Sequence, residues 1–330
     1  LVGSEMCIRD RVIIKEYKTY YAFMQAMEKD KYKNNLNEQE KLTLEYLSKT
    51  ILTGVRPDEL AILSKLLYRD HIRVADFIKE YQKTYGIKIS TSQVSEAIQV
   101  LQGHFVSKEA EYQKFRQIDI LENDQSGMIR RLQSYAERLA HIQFYTQVED
   151  IIKVGIARYK DKYFPGRIVD SPFVLYEKYS RRDVSLLMNC GKDLSSIMYG
   201  MKRIEDDVFI FITYHKEESQ DEKNYVDGKP DYADAFEDDL IFKWDSQIGK
   251  GLDSSYMKDV LEAERKHLLV KKSDAETSFY YMGQFTVVEA RNTRKEDNRG
   301  RMQPITKVTM KMQHPVREDL LRYLQSNITA

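Results

Sequence analysis

The sequence predicts an α+β protein in two parts: a helical, winged-helix-like N-terminal half, then a mixed α/β domain centred on a sheet. Three observations carry this. Between residues 12 and 160, apolar side chains recur at helical spacing, punctuated by glycine and proline. Phe164-Pro-Gly-Arg-Ile-Val-Asp-Ser-Pro172 interrupts any helix with two prolines and a glycine, and marks the linker. Beyond it, apolar runs of strand length replace the helical period. The expected domains are therefore residues 12–163 and residues 173–330.

The opening Leu1-Val-Gly-Ser-Glu-Met-Cys-Ile-Arg-Asp10 lacks an initiator Met and the apolar core of a signal peptide. Residues 1–11 read as a translated sequencing-adapter artefact, so the chain is expected to be a fragment without its natural N-terminus. Val12 to Lys33 is a first helix. Glu38 to Leu52, with Leu42, Tyr46 and Ile51 on one side, is a second, ended by Gly54. Pro57 suits the first helical position before Glu59 to Tyr68. Ile72 to Tyr85 follows, closed by Gly86, and Ser90-Thr-Ser-Gln93 has capping-box spacing before a helix with Val94, Ile98 and Leu101 inward.

His71–Tyr85, the turn Gly86–Ile89 and Thr91–Gln102 resemble a helix-turn-helix, with a wing expected between Phe115 and Ile129. The exposed side of its second helix offers Ser92, Ser95, Glu96, Gln99 and Gln102, and no cation before Lys108. Phosphate attraction is weak on such a face, which favours structural coupling over DNA contact. One long helix over Ser134 to Tyr159 completes this half.

In the second half Ser180-Arg-Arg-Asp183 caps a short helix reaching Met188. Val208 to Tyr214 is a continuous apolar run, expected as a central buried strand. Leu240 to Trp244 and Phe279 to Glu289 are further strands. Pro304 to Gln313 alternates, with Val308, Met310 and Met312 on one side and Lys307, Thr309 and Lys311 on the other. Val316 to Ser326 is the closing helix.

The formal net charge is zero, yet it hides opposed patches. Residues 217–239 hold ten carboxylates against Lys223 and Lys229, and residues 291–317 hold eight Lys or Arg against Glu296 and Asp297. The two cysteines, Cys7 and Cys190, have no partner at disulfide or zinc spacing, which fits a reducing, cytoplasmic compartment. No apolar run approaches the roughly 18 residues of a membrane span, so no membrane partner is expected.

Catalytic chemistry is not expected from these residues. Gly191-Lys192-Asp193 and Gly249-Lys250-Gly251 lack the hydroxyl that follows Lys in a phosphate-binding loop. In His215-Lys216 through Asp221 the His and Lys are adjacent, hence on opposite faces of a strand, and cannot share one phosphate as in phospholipase-D-type nucleases. Asp231, Asp234, Asp238 and Asp239 are dense without a Glu-x-Lys on a following strand, and Glu264-Arg-Lys266 falls at the end of an expected helix. The six histidines are scattered. No cofactor, no metal and no catalytic residue follow from the sequence.

Five motifs stand in order: Tyr179-Ser-Arg-Arg-Asp-Val184, Thr213-Tyr-His-Lys216, Tyr232-Ala-Asp-Ala-Phe236, Phe242-Lys-Trp-Asp-Ser-Gln247 and Phe279-Tyr-Tyr-Met-Gly283. Together they resemble the C-terminal domain of unknown function of bacterial proteins that fuse a phospholipase-D-like nuclease to a superfamily 2 helicase. Some of those proteins are ATP-dependent, type IV restriction enzymes acting on DNA that contains 5-methylcytosine. The resemblance covers about residues 170–325, and more loosely the helical half, as a coupling region behind a motor. It implies a non-catalytic fragment that recognises double-stranded, including modified, DNA for upstream helicase and nuclease domains. The alternative is a protein-docking or homodimerising module of the same helicase.

For DNA contact the expected residues are Tyr214, His215, Lys216, Trp244, Ser246, Gln247, Arg181, Arg182, Lys307 and Lys311. Phe242, Trp244 and Ser246 share one strand face and would offer a stacking ring beside a hydroxyl to a flipped base. Tyr214 and Lys216 would pair stacking with phosphate contact. Arg181 and Arg182 stand at a helix start, which favours anions. Lys307 and Lys311, with the cations from Arg291 to Arg301, would track the backbone. The acidic residues 217–230 could mimic DNA and gate a basic groove.

Overall fold

A computed structural model describes residue 26 and residues 35–123, 127–165, 171–215, 225–226, 229–230, 234–297 and 299–326. A helical half precedes a mixed, sheet-centred domain, and the fold class is α+β. Two compact units emerge, Leu1–Gly166 with Ser185–Asp193, and Arg167–Val184 with Leu194–Ala330. The expected helix at 12–33 lies outside the described residues apart from Ala26.

In the first unit α1 (Glu38–Thr50) opens on a capping box in which Asn37 and Glu40 exchange side-chain-to-backbone bonds. Pro57 stands at the N-cap of α2 (Asp58–Leu66), one place before the expected position. The helix expected from Ile72 begins two residues late. His71–Arg73 is instead a strand, β1, paired antiparallel with β3 (Met128–Arg131), and this cross-strand bonding overrides the local helical period. Helix α3 (Val74–Tyr85) ends at Gly86 in the left-handed conformation, φ +67°. Ser90 and Gln93 form the capping box of α4 (Thr91–Leu101), which buries Val94, Ile98 and Leu101 as the spacing predicts.

A short helix not expected from the sequence, α5 (Glu109–Phe115), precedes the wing strand β2 (Leu121–Asn123). With the order β1-β3-β2 beside α3 and α4, the arrangement is that of a winged helix. The long helix expected over 134–159 is two, α6 (Gln133–Leu139) and α7 (Ile142–Arg158). His141 sits extended at the break, its Nδ1 3.0 and 3.1 Å from the carboxylate oxygens of buried Glu40. That polar pair outweighs a continuous helical ladder.

The second unit contains β4 (Lys178–Tyr179), α8 (Arg181–Leu187, which crosses the division between units), β5 (Met201–Ile204), β6 (Asp207–His215) and the two-residue pair β7 (Tyr225–Val226) and β8 (Lys229–Pro230). Then come β9 (Ala235–Phe236), β10 (Ile241–Asp245), α9 (Ser255–Glu262), β11 (Arg265–Ser273), β12 (Phe279–Glu296), β13 (Met302–Met312) and α10 (Glu318–Gln325). The sheet runs β5-β6-β11-β12-β13-β10-β9, with β4 pairing beside the start of β12. Only β6 and β11 are parallel neighbours along this path, and α9 lies within their connection. Val208 through Ile212 are buried on both faces, as expected of a central strand.

Lys266, expected at a helix end, instead lies in strand β11, because α9 stops at Glu262 and the run His267–Val270 pairs with both β6 and β12. Inside this sheet Asp207 receives two bonds from Arg265, at 2.8 and 2.6 Å, and lies 2.7 Å from His267 Nε2. His267 Nδ1 stands 2.9 Å from the Tyr281 hydroxyl, and the imidazole stacks on Phe209 at 4.6 Å. The four-membered network supplies partners to polar groups that burial would otherwise penalise.

Candidate nucleic-acid interface

Strand register decides what the sheet shows to solvent. Phe242, Trp244 and Ser246 are 0, 3 and 5% exposed, so this face points into the core with Val308, Met310 and Met312. The expectation of an accessible stacking ring at Trp244 is therefore overturned: burying the indole outweighs leaving it wet. Trp244 packs near Tyr256 at 6.3 Å between ring centroids. Ser246 donates to Lys250 O at 2.7 Å and accepts from Thr306 N at 2.8 Å, so its hydroxyl anchors a loop and reads no base. Tyr214, 7% exposed, belongs to the same core and offers no stacking face. His215 Nε2 lies 2.7 Å from Leu324 O, which ties β6 to α10. Lys216 and residues 217–224 lie outside the described residues, as do Tyr232 and most of the acidic stretch.

Arg181 and Arg182 are half-buried. The Arg181 guanidinium stands 5.2 to 5.5 Å from the ring centroids of Tyr199, Phe211 and Phe279, and burial pushes it below the usual guanidinium range. It acts as a packed cation rather than an open phosphate contact. Gln247 is exposed, and its amide lies 3.4 Å from Tyr199 O.

The opposite face is cationic. Register brings Lys243 beside Thr309, and Asp245 and Arg291 to either side of Lys307, while Ile241 and Thr286 flank Lys311. Lys307 and Lys311 are both exposed, and Lys307 reaches Asp245 only at 4.0 Å. Lys243 is held by Glu237 at 3.2 Å.

Past β10, strands β12 and β13 continue together as a two-stranded arm. Thr293–Glu296 pairs with Met302–Ile305, four residue pairs or about 13 Å of ribbon. Its root is gripped by the loop after β10: Ser246 N donates to Thr306 O and Gly249 N to Pro304 O, each at 2.9 Å, and Leu252 N donates to Asn292 Oδ1 at 2.8 Å. Asp297 builds the tip. It accepts from the backbone N–H of Arg299 and Arg301, from Arg301 Nε and from Gln303 Nε2, at 2.9 to 3.2 Å. Those donors, the Arg301 backbone first, hold its carboxyl down to about 2. Among the described residues, Arg291, Arg294, Lys295, Arg299 and Lys311 carry no ion pair.

The fold and this surface define a two-part α+β protein with a winged-helix unit and a sheet domain bearing a cationic β-ribbon. Residues 173–324 match the family described as Domain of unknown function (DUF3427), and residues 8–162 match Domain of unknown function (DUF8090). The two matches follow one another along the chain, each over a little less than half of it.

No curated protein matches the chain. Among solved structures, it is similar to MspJI restriction endonuclease in complex with a 27-mer oligonucleotide, at 11% identity over 34% of this chain and 31% of that one, TM-score 0.23. It is similar to Arabidopsis thaliana SUVH6 in complex with SAM, at 11% identity over 55% of this chain and 34% of that one, TM-score 0.29. The sulfur binding and SRA domains of ScoMcrA complexed with phosphorothioated DNA match at 10% identity over 90% and 94%, TM-score 0.26. The chain spans about a third of the length of the first two structures. TM-scores this low establish no common fold. Among the described residues no three His, Cys, Asp or Glu side chains gather as a metal site, and no helix is long and apolar enough to cross a membrane.

Proposed function

We propose that the chain is the non-catalytic C-terminal part of an ATP-driven helicase or restriction protein, and that it recognises target DNA, 5-methylcytosine-containing DNA included, for an upstream motor and nuclease. The stretch that matches DUF3427 contains all five motifs on which the family resemblance rests. The observation that carries the reading is a cluster of unpaired cations: Arg291, Lys295 and Lys311 on the cationic sheet face and its ribbon, Arg294 on the ribbon's other face and Arg299 at its tip. Unpaired cations have no partner to surrender when a phosphate arrives, and their binding releases the counterions condensed on DNA. A two-stranded ribbon is also narrow enough to enter a groove. The winged-helix unit is the weaker candidate, because the α4 residues left in contact with water, Ser92 and Gln99 among them, bring no positive charge.

Fluorescence anisotropy against salt, with methylated and unmethylated duplexes, tests the proposal. Binding is expected to weaken steeply with salt, and Arg291→Ala, Arg294→Ala and Lys295→Ala should each flatten the log–log slope by about 0.9. Preference for the methylated duplex supports modification reading. Slopes that these substitutions leave untouched sink the ribbon interface.

A second reading, docking to a protein partner or to a second copy, is favoured by Tyr68 and Ile142, 71 and 73% exposed on the helical unit. Dimerisation in light scattering without any DNA affinity would decide for it.

A further inference from the structure

The core face of β13 does not end where the body ends. Met312, Met310 and Val308 are 2, 0 and 2% exposed, and Thr306 is fully buried. Two residues further on, the same face continues as Pro304, which is exposed, and Met302, which is 56% exposed near the tip of the arm. Across the ribbon this face carries Arg294 opposite Pro304 and Glu296 opposite Met302. An apolar side chain is thus held out in water, two residues from unpaired Arg294 on the facing strand and three residues from unpaired Arg299.

Resting on the DNA reading above, we propose that Met302 is a wedge: the arm lies along the minor groove, and the Met302 thioether inserts between two base pairs and kinks the duplex. Charge selects the occupant: Arg294 on the same ribbon face and Arg299 at the tip outnumber Glu296, which stands opposite Met302, and a polyanion satisfies them. Insertion of an unbranched apolar side chain unstacks one step, bends the axis toward the major groove and brings more backbone against the protein. Methionine suits this, being apolar, slender and flexible. The arm is also prepared for it. Four hydrogen bonds to Asp297 fix the tip and the loop 246–252 fixes the root, so little ordering remains to be done on binding. Steps that unstack easily, TA above all, should be the preferred seats.

The test uses the full chain and a duplex of about 30 base pairs carrying a donor and an acceptor dye at its two ends, long enough for the 20–90° kink of such wedges to shorten the end-to-end distance. The wild type should raise energy transfer on binding, more for a duplex with a central TA step than for one of G·C pairs. Met302→Ala should keep the salt slope and lose at least half of the rise in transfer, while Met302→Leu keeps it. Met302 is exposed, so neither variant threatens folding. Binding by the wild type without a rise in transfer, or a full rise with Met302→Ala, overturns the wedge while the cation substitutions still report on the ribbon. Loss of self-association by Met302→Ala with DNA behaviour intact assigns the face to a second copy and also overturns it. Absence of any DNA affinity in the wild type removes both this inference and the reading beneath it.

Discussion

At the scale of single residues, the network of Asp207, Arg265, His267 and Tyr281 makes stability depend on acid. Burial, despite Asp207 beside it, holds His267 below the usual imidazole range, so the folded protein prefers the neutral ring. The unfolded chain takes up that proton near pH 6.5 and the folded one does so lower, so stability falls as pH drops through that window. The Asp207 carboxyl is held down to about 2 by its His267 and Arg265 hydrogen bonds, against the opposing effect of burial. Its contribution of ~2 kcal/mol is present above the unfolded value near 4 and lost as pH falls toward 2. Urea midpoints at pH 7.5, 6, 5 and 3.5 should therefore decline throughout, and His267→Gln should flatten the part between 7.5 and 5. A flat profile in the unaltered protein would show that the network carries no such linkage.

Trp244 is a second residue-scale case. As a core side chain, its change to Ala should cost about 3–5 kcal/mol in urea unfolding, while Trp244→Phe costs much less. Neither change should alter the salt slope of DNA binding, since the ring points away from the cationic face. A stable Trp244→Ala that merely loses DNA affinity would restore the stacking role that the burial removes.

At the scale of elements, caps carry measurable weight. Ser90 Oγ accepts from Gln93 N at 3.2 Å, and Gln93 Oε1 accepts from Ser90 N at 2.9 Å. Ser90→Ala should cost about 1 kcal/mol, read as a lower urea midpoint with an unchanged m-value. This cap was legible in the sequence because its partners are three residues apart. The same holds for Ser180 and Asp183, which exchange bonds of 2.7 and 3.1 Å ahead of α8.

What depended on distant chain was less legible. The two-residue period says that Phe242 and Trp244 share a face and that Lys243 and Asp245 share the other, but it does not say which face is wet. The wet face is set by β13, some 65 residues away, whose Val308 and Met310 stand beside Trp244 and Phe242. Strand β11 was hidden because Arg265-Lys266 and Lys271-Lys272 flank a short apolar run that resembles a helix end. The arm escaped for the opposite reason: residues 290–296 are exposed or half-buried and give no strand-like alternation, although their cations already pointed to phosphate.

For the whole molecule, a formal net charge of zero gives no global attraction to a polyanion. Affinity must then come from charges within roughly 8–10 Å of the phosphates, the reach of the field in physiological salt. The ribbon meets that condition by gathering its cations on two adjacent strands. Composition alone could show that a cationic stretch existed, whereas only the folded register shows which of its members lack a counterion.

The order in which the sheet joins its strands has one more consequence, for biogenesis. Val208 must find Lys266 and Trp244 must find Val308, partners about 60 residues apart in the chain. Loop closure over such spans is slow, and the sheet cannot close until β13 has been synthesised. During translation β6 can pair with β5 and then β11, but β12 and the apolar face of β10 would wait without their shared partner β13. A nascent chain stopped before residue 302 should be a client for chaperones rather than a smaller working domain.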